Sequence, residues 1–224
     1  MAILRRKITD YVSSIANVAQ TSNYQVFFGG LSPSLIDYLE SKGVNQRFIM
    51  EEAGLRCSSA SIPGSSVATA SIAGNYMGVQ EKMAHSRIFN ELSLEFYVDR
   101  DYKIIKFMEH WIDYITSGSE SDEVKKSRPG YFYRMRYPTD VDSGYKCNKT
   151  KIIKFENDRY GTELEYTFYG LFPLSMSSVG VQYGSSDVLR MSATFSYERY
   201  ISGKETSQSE KTNSSENTQG GSTE

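Results

Sequence analysis

Few residues in this chain could do chemistry. There are two histidines, His85 and His110, and two cysteines, Cys57 and Cys147. Histidine can ligate a metal or move a proton near neutral pH, and a thiolate beside a histidine can attack a carbonyl. Both reactions need groups brought together at one place. His110 falls in a helical pattern beside Trp111, His85 belongs to a different element, and no thiol-protease signature surrounds Cys57. Glu51 and Glu52 are adjacent, so on an extended chain they point to opposite sides. Asp99 and Asp101 flank an expected helix start, where carboxylates are favoured without any catalysis. The charged run Asp122, Glu123, Lys125, Lys126 and Arg128 reads as a solvated loop; with Arg134 and Arg136 it could touch DNA phosphate or a neighbouring subunit, and the neighbour is the favoured reading. Asn148-Lys149-Thr150 has the form of a glycosylation acceptor, which means nothing without a secretory signal. Gly74–Gly78 has the wrong spacing to cradle a phosphate. The expectation is no catalytic residue, no cofactor and no metal.

The elements that would have to hold a site read instead as a scaffold. Leu189, Met191, Ala193, Phe195 and Tyr197 alternate with Arg190, Ser192, Thr194, Ser196 and Glu198. Successive strand side chains face opposite sides, so this is a strand with one buried and one wet face. Leu164, Tyr166 and Phe168 are expected to be buried in the same way against Glu163, Glu165, Thr167 and Tyr169. Leu92, Leu94, Phe96 and Val98 mark a strand over 91–98. The next apolar set, Ile104, Ile105, Met108, Trp111, Ile112 and Ile115, has helical spacing. Tyr24–Phe28 reads as a strand stopped at Gly29-Gly30. Ser32-Pro33 and Gly43 delimit a helix over 33–42. Residues 47–57 read as extended. Pro63-Gly64 breaks them, and 65–77 reads as an edge strand or a long loop. Residues 131–137 and 151–155 read as strands, with turns between them. Leu4, Ile8, Tyr11, Val12, Ile15 and Ala19 predict an amphipathic helix over 1–22.

Composition sets further bounds. A chain of 224 residues suits one domain with a sizeable core. Seventeen tyrosines and eleven phenylalanines suit half-buried sheets and subunit contacts. The tail after residue 201 has no apolar residue and is expected to stay disordered. It carries two lysines and four glutamates, and setting it aside leaves 23 basic and 23 acidic residues. That balance argues against dedicated nucleic-acid binding. The N-terminus lacks the apolar stretch of a signal peptide, and no run reaches the ~18 apolar residues of a membrane span. Free thiols in a cytoplasm, with no disulfide, are expected.

In this order the elements resemble the tail tube proteins of contractile-tailed bacteriophages and their baseplate tube-initiator relatives. CSSASIPG (Cys57–Gly64) is similar to the family's strand ending in a Pro-Gly turn. LSLEFYVDRDYKIIKFMEHWIDYI (Leu92–Ile115) is similar to its strand, acidic turn and aromatic-rich helix. YTFYGLFPLSMSSVGVQYGSSDVLRMSATFSYERYI (Tyr166–Ile201) is similar to its closing strands. The chain departs from leaner members at 30–46 and 119–147, which look like insertions, and in its polar tail.

The resemblance implies a mainly β fold with a flanking helix (α+β), a small β-barrel or sandwich of the tail-tube type over residues 23–201. It implies a virion protein made in the host cytoplasm, not an enzyme, with six copies closing into a ring. Stacked rings would form the inner tube, with sheath, tape-measure and baseplate proteins as partners and DNA passing through without specific binding. The polar face of residues 190–198 would suit the wet lumen. A baseplate initiator that nucleates the tube is the alternative. A further one is a binding module for a small ligand or single-stranded nucleic acid, for which Tyr131, Phe132 and Tyr133 near Arg134 and Arg136 are the candidate platform.

Overall fold

The computed structural model describes residues 19–73, 78–116, 135–156, 163–184 and 187–203. The run 122–128 and the aromatic platform 131–133 lie outside these residues, as do the expected N-terminal helix up to residue 18 and the polar tail after Gly203. Residues 19–22 are not helical, and Ser202 closes a strand.

Ten strands carry the fold. They are β1 (Tyr24–Phe27), β2 (Cys57–Ala60), β3 (Ser65–Ile72), β4 (Glu81–Phe89), β5 (Leu92–Tyr97), β6 (Thr150–Phe155), β7 (Glu163–Tyr169), β8 (Phe172–Met176), β9 (Arg190–Ser196) and β10 (Arg199–Ser202). Eight of them form two antiparallel sheets, in the orders β1-β6-β7-β10 and β2-β5-β9-β8, and β3 pairs only with β4. The mainly β reading holds. Of the barrel and sandwich alternatives, the described residues show two separate sheets, each ending in two terminal strands, and no closed barrel.

The second alternating run behaves as its sequence reads. Met191, Ala193, Phe195 and Tyr197 are buried, and Arg190 and Glu198 are exposed. On β5, Leu92, Leu94 and Phe96 are wholly buried. The first run departs from its reading. Thr167 and Glu165 are buried and Leu164 is exposed. Residue type alone misreads this strand because a cross-strand partner neutralises the carboxylate. Lys151 Nζ lies 2.7 Å from Glu165 Oε1, and Thr167 Oγ1 donates to the same oxygen at 3.2 Å.

Three helical segments complete the body: α1 (Pro33–Ser41), α2 (Ala53–Leu55) and α3 (Lys103–Thr116). For α1 the punctuation is correct. Ser32 Oγ accepts from the Leu35 amide, Pro33 opens the helix, and Gly43 follows at φ +87°. The extended reading of 47–57 is wrong. A π-helical segment Phe48–Glu52 runs into α2 before β2 begins at Cys57. Phe48, Ile49 and Ala53 are buried at spacings only a helical turn can bring to one side. Asn45 Oδ1 accepts from the Phe48 amide at 3.2 Å, and Arg47 pairs with Glu51 at 2.9 Å. Met135–Tyr137, the described part of an expected strand, is irregular.

The core is aromatic. Helix α3 buries Ile104, Phe107, Met108, Trp111 and Tyr114. Trp111 packs on Phe107 and Phe195, and Phe28 meets Phe96, Phe107 and Phe195, so helix and both sheets share one interior. Burying such a side chain stabilises by roughly 1.5–3 kcal/mol each. Trp111 Nε1 donates to the Tyr145 carbonyl at 3.0 Å and the Tyr114 hydroxyl to the Ser143 carbonyl at 2.9 Å, which pins the turns before β6 onto the helix. Among the described residues no helix is long and apolar enough to cross a membrane.

Candidate functional site

Most described residues of chemical promise have a structural occupation. Asp99 accepts from the Ile104 amide at 3.5 Å and lies 3.9 Å from Arg56. Asp101 pairs with Lys103, and Glu52 with Arg56. His110 Nδ1 sits 3.4 Å from Asp113 on its own helix, while His85 is exposed on β4. No group of three His, Cys, Asp or Glu among the described residues could hold a metal ion. Asn148 Oδ1 accepts from the Gly170 amide at 3.0 Å, and Arg136 stacks over the Tyr114 ring at 4.0 Å.

The thiols are muted. Burial pushes Cys57 up to about 11 and Cys147 up to about 12, from an ordinary value of 9.0. Only the thiolate is nucleophilic. At pH 8 the raised value leaves Cys57 with about one hundredth of an ordinary thiolate population. Labelling of the native protein with a disulfide reagent at pH 8 is therefore expected to run about 100-fold slower than in denaturant. Equal rates in the two states would show that Cys57 is not shielded.

What the fold offers instead is strand margin. A terminal strand has unpaired amides and carbonyls on one side and recruits another strand. Two of the four margins are tended within the chain. Segment α2 lies against β1, and Gly54 comes so near that a Cβ there would stand 1.7 Å from the Val26 carbonyl oxygen. On β2, the Cys57 carbonyl accepts the Tyr24 hydroxyl at 2.9 Å, and burial holds that hydroxyl well above the usual tyrosine range. The other two, β8 and β10, have a hydrogen-bonded strand on one side only. β8 carries Pro173, a residue suited to an edge because it has no amide hydrogen to donate.

The β3–β4 ribbon is more exposed still. Seven of eight residues on β3 and eight of nine on β4 are exposed. Val67, Ile72, Met83 and Ile88 are each about half accessible. A lone two-stranded ribbon is marginal in water. The sequence shows β3 only as an edge strand or loop and does not show β4. A bulge between Ala68 and Thr69 leaves His85 unpaired and breaks the alternation of EKMAHSRIF.

The outward face of the second sheet is polar. It carries Ser93, Glu95 and Tyr97 of β5, opposite Thr194, Ser192 and Arg190 of β9. Glu95 and Arg190 lie 3.9 Å apart, and the Arg190 guanidinium sits 5.2 Å over the Tyr97 ring. The two charges cancel and leave hydroxyls as the dominant chemistry.

Among the described residues, the fold thus shows four terminal strands and a ribbon that is nearly all exposed. The family model of phage tail tube proteins matches residues 19–203. The chain belongs to that family. The match spans the three stretches that carry the resemblance in sequence. No curated protein matches the chain. Among solved structures it is similar to a chain of the anti-feeding prophage tube-terminating cap, at 14% identity over 84% of this chain and 91% of that one, with a TM-score of 0.49. It is similar to a chain of the PVC extracellular contractile injection system sheath-tube complex, at 14% identity, 85% and 96% coverage and a TM-score of 0.46. An Hcp protein crystal structure gives 8% identity, 81% and 98% coverage and a TM-score of 0.40. Likenesses at this level concern the fold alone.

Proposed function

We propose that this tail tube protein is a non-enzymatic virion subunit of a contractile phage tail. Six copies close head-to-tail into a ring through strand margins, and rings stack into the inner tube that conducts DNA. The observation that carries the reading is the β3–β4 ribbon, nearly all exposed on a chain of the tail tube family. A head-to-tail arrangement gives every margin a neighbour, and rotation closes the set without leaving ends. The margins of β8 and β10 and the ribbon supply the surfaces such a ring needs.

The Ser/Thr face of the second sheet suits the lumen. DNA carries one charge per ~1.7 Å of axis and binds basic surfaces strongly. A lining in which Arg190 is matched by Glu95 holds no positive field to arrest it. Sheath, tape-measure and baseplate proteins are the partners that go with this station.

Electron microscopy of the concentrated, purified full chain tests the reading. Rings or tubes with a central hole are the expected result, and rings that never lengthen would move the chain to the baseplate initiator. A protein that stays monomeric at every concentration and salt, and adds to no preformed tube, removes the proposal.

A further inference from the structure

We propose that Arg87 is a positioning residue that fixes the angle at which the β3–β4 ribbon leaves the body, and thereby presets the ribbon to pair with a second copy of the chain. This rests on the assembly reading above and adds to it the group that controls the encounter.

The side-chain anchorage of the ribbon gathers at its root. Arg87 Nη2 donates to Ser65 Oγ on β3 and to the Tyr200 hydroxyl on β10, both at 3.0 Å. The same guanidinium lies 4.9 Å from the Phe89 ring centre and 5.1 Å from that of Tyr200. Phe89 meets Tyr200 edge-on at 5.3 Å and Tyr197 at 6.0 Å. One planar group therefore ties both ribbon strands to β10 and stacks on an aromatic wall. Beyond Phe89 every residue of β4 is exposed.

Geometry makes that root matter. Eight strand residues span about 26 Å, so a swing of about 10° at the root moves the far end by about one strand spacing of 4.7 Å. A ribbon free to swing that far offers a neighbouring margin no single position, and correct pairing must then order it first. Arginine resists the swing because its fork is planar, holds two acceptors and stacks at once. Lysine, a single point charge on a flexible stem, does none of these together.

The test uses the full chain with Arg87→Ala, Arg87→Lys and Tyr200→Phe. Amide exchange of 65–72 and 81–89 in the unassembled protein reads the clamp directly. The critical concentration for rings or tubes, from sedimentation, reads its role in assembly. Arg87→Ala is expected to speed exchange near the root about tenfold and to raise the critical concentration about tenfold, because each added subunit must then order a ribbon that one charge-assisted contact within its own chain had held. The melting temperature of the body should barely move. Arg87→Lys should behave like the alanine variant, and Tyr200→Phe, which keeps the ring and loses one oxygen, should fall between. If Arg87→Ala unfolds the chain, Tyr200→Phe alone decides.

Unchanged exchange overturns the clamp, and faster exchange with an unchanged critical concentration overturns its part in assembly. A wild-type chain that never assembles defeats the assembly reading, and with it the second half of this proposal. The exchange comparison still decides whether Arg87 holds the ribbon.

Discussion

Gly54→Ala is expected to lower the melting temperature by roughly 10 °C, an effect of about 3 kcal/mol at ~2–4 °C per kcal/mol for a chain of this size. The cause is backbone against backbone. The added methyl carbon would stand 1.7 Å from the Val26 carbonyl oxygen and 2.7 Å from its carbon, and no rotamer change relieves that. Either α2 lifts from β1 or β1 shifts within its sheet, where Val26 is paired with Ile152 of β6. The sign makes the test sharp. Gly54 sits in a helical segment, where alanine is intrinsically better than glycine by about 0.5–1 kcal/mol. With no close approach the variant would melt higher than wild type, and a rise would show that α2 does not seal the β1 margin. Gly78→Ala, at a position with nothing within 4 Å, is the neutral control. The seal also bears on assembly, because a chain with β1 open has an additional margin able to take a strand in the wrong place.

How far the sequence discloses this molecule depends on whether a residue's neighbour is near in the chain. β5 and β9 alternate cleanly because each meets one dry interior, and their residues could be assigned to faces without a structure. Helix α1 is delimited by Ser32, Pro33 and Gly43, all local signals. Glu165 looks solvent-facing in sequence because its burial depends on Lys151 across the sheet, 14 residues away in the chain. The helical turn before β2, where Ile49 and Ala53 are four apart, is obscured by adjacent glutamates and a glycine. Many short strands suit a barrel and a sandwich alike: strand count does not say whether terminal strands pair, and among the described residues they do not. The assembly surface was half legible. Margins follow from strands, but Arg87, Gly54 and Tyr200 act through partners 22 to 113 residues distant and leave no mark on local spacing.

Excision of residues 67–87, with an Asn-Gly turn joining Ser66 to Ile88, is expected to leave the body folded and to abolish association. Ser66 and Ile88 face each other in register, so a two-residue turn of the type that matches strand twist can close the ribbon there. The excision takes Arg87 with it, but the aromatic part of the root survives: Ser65, Phe89 and Tyr200 remain, and Phe89 still packs on Tyr197 and Tyr200. Among the described residues removed, all but Ala68 are exposed, so the body loses little apolar contact and its melting temperature should shift by no more than a few degrees. If the ribbon exists for another copy, rings and tubes should vanish at concentrations where the full chain forms them, with far-UV circular dichroism unchanged apart from the lost strand signal. Loss of the whole fold would instead make the ribbon part of the body's stability despite its exposure. Normal rings from the shortened chain would remove the ribbon from the interface and leave β8 and β10 to carry closure alone. The three results point to three different sources of order, and the burial pattern of β3 and β4 favours the first.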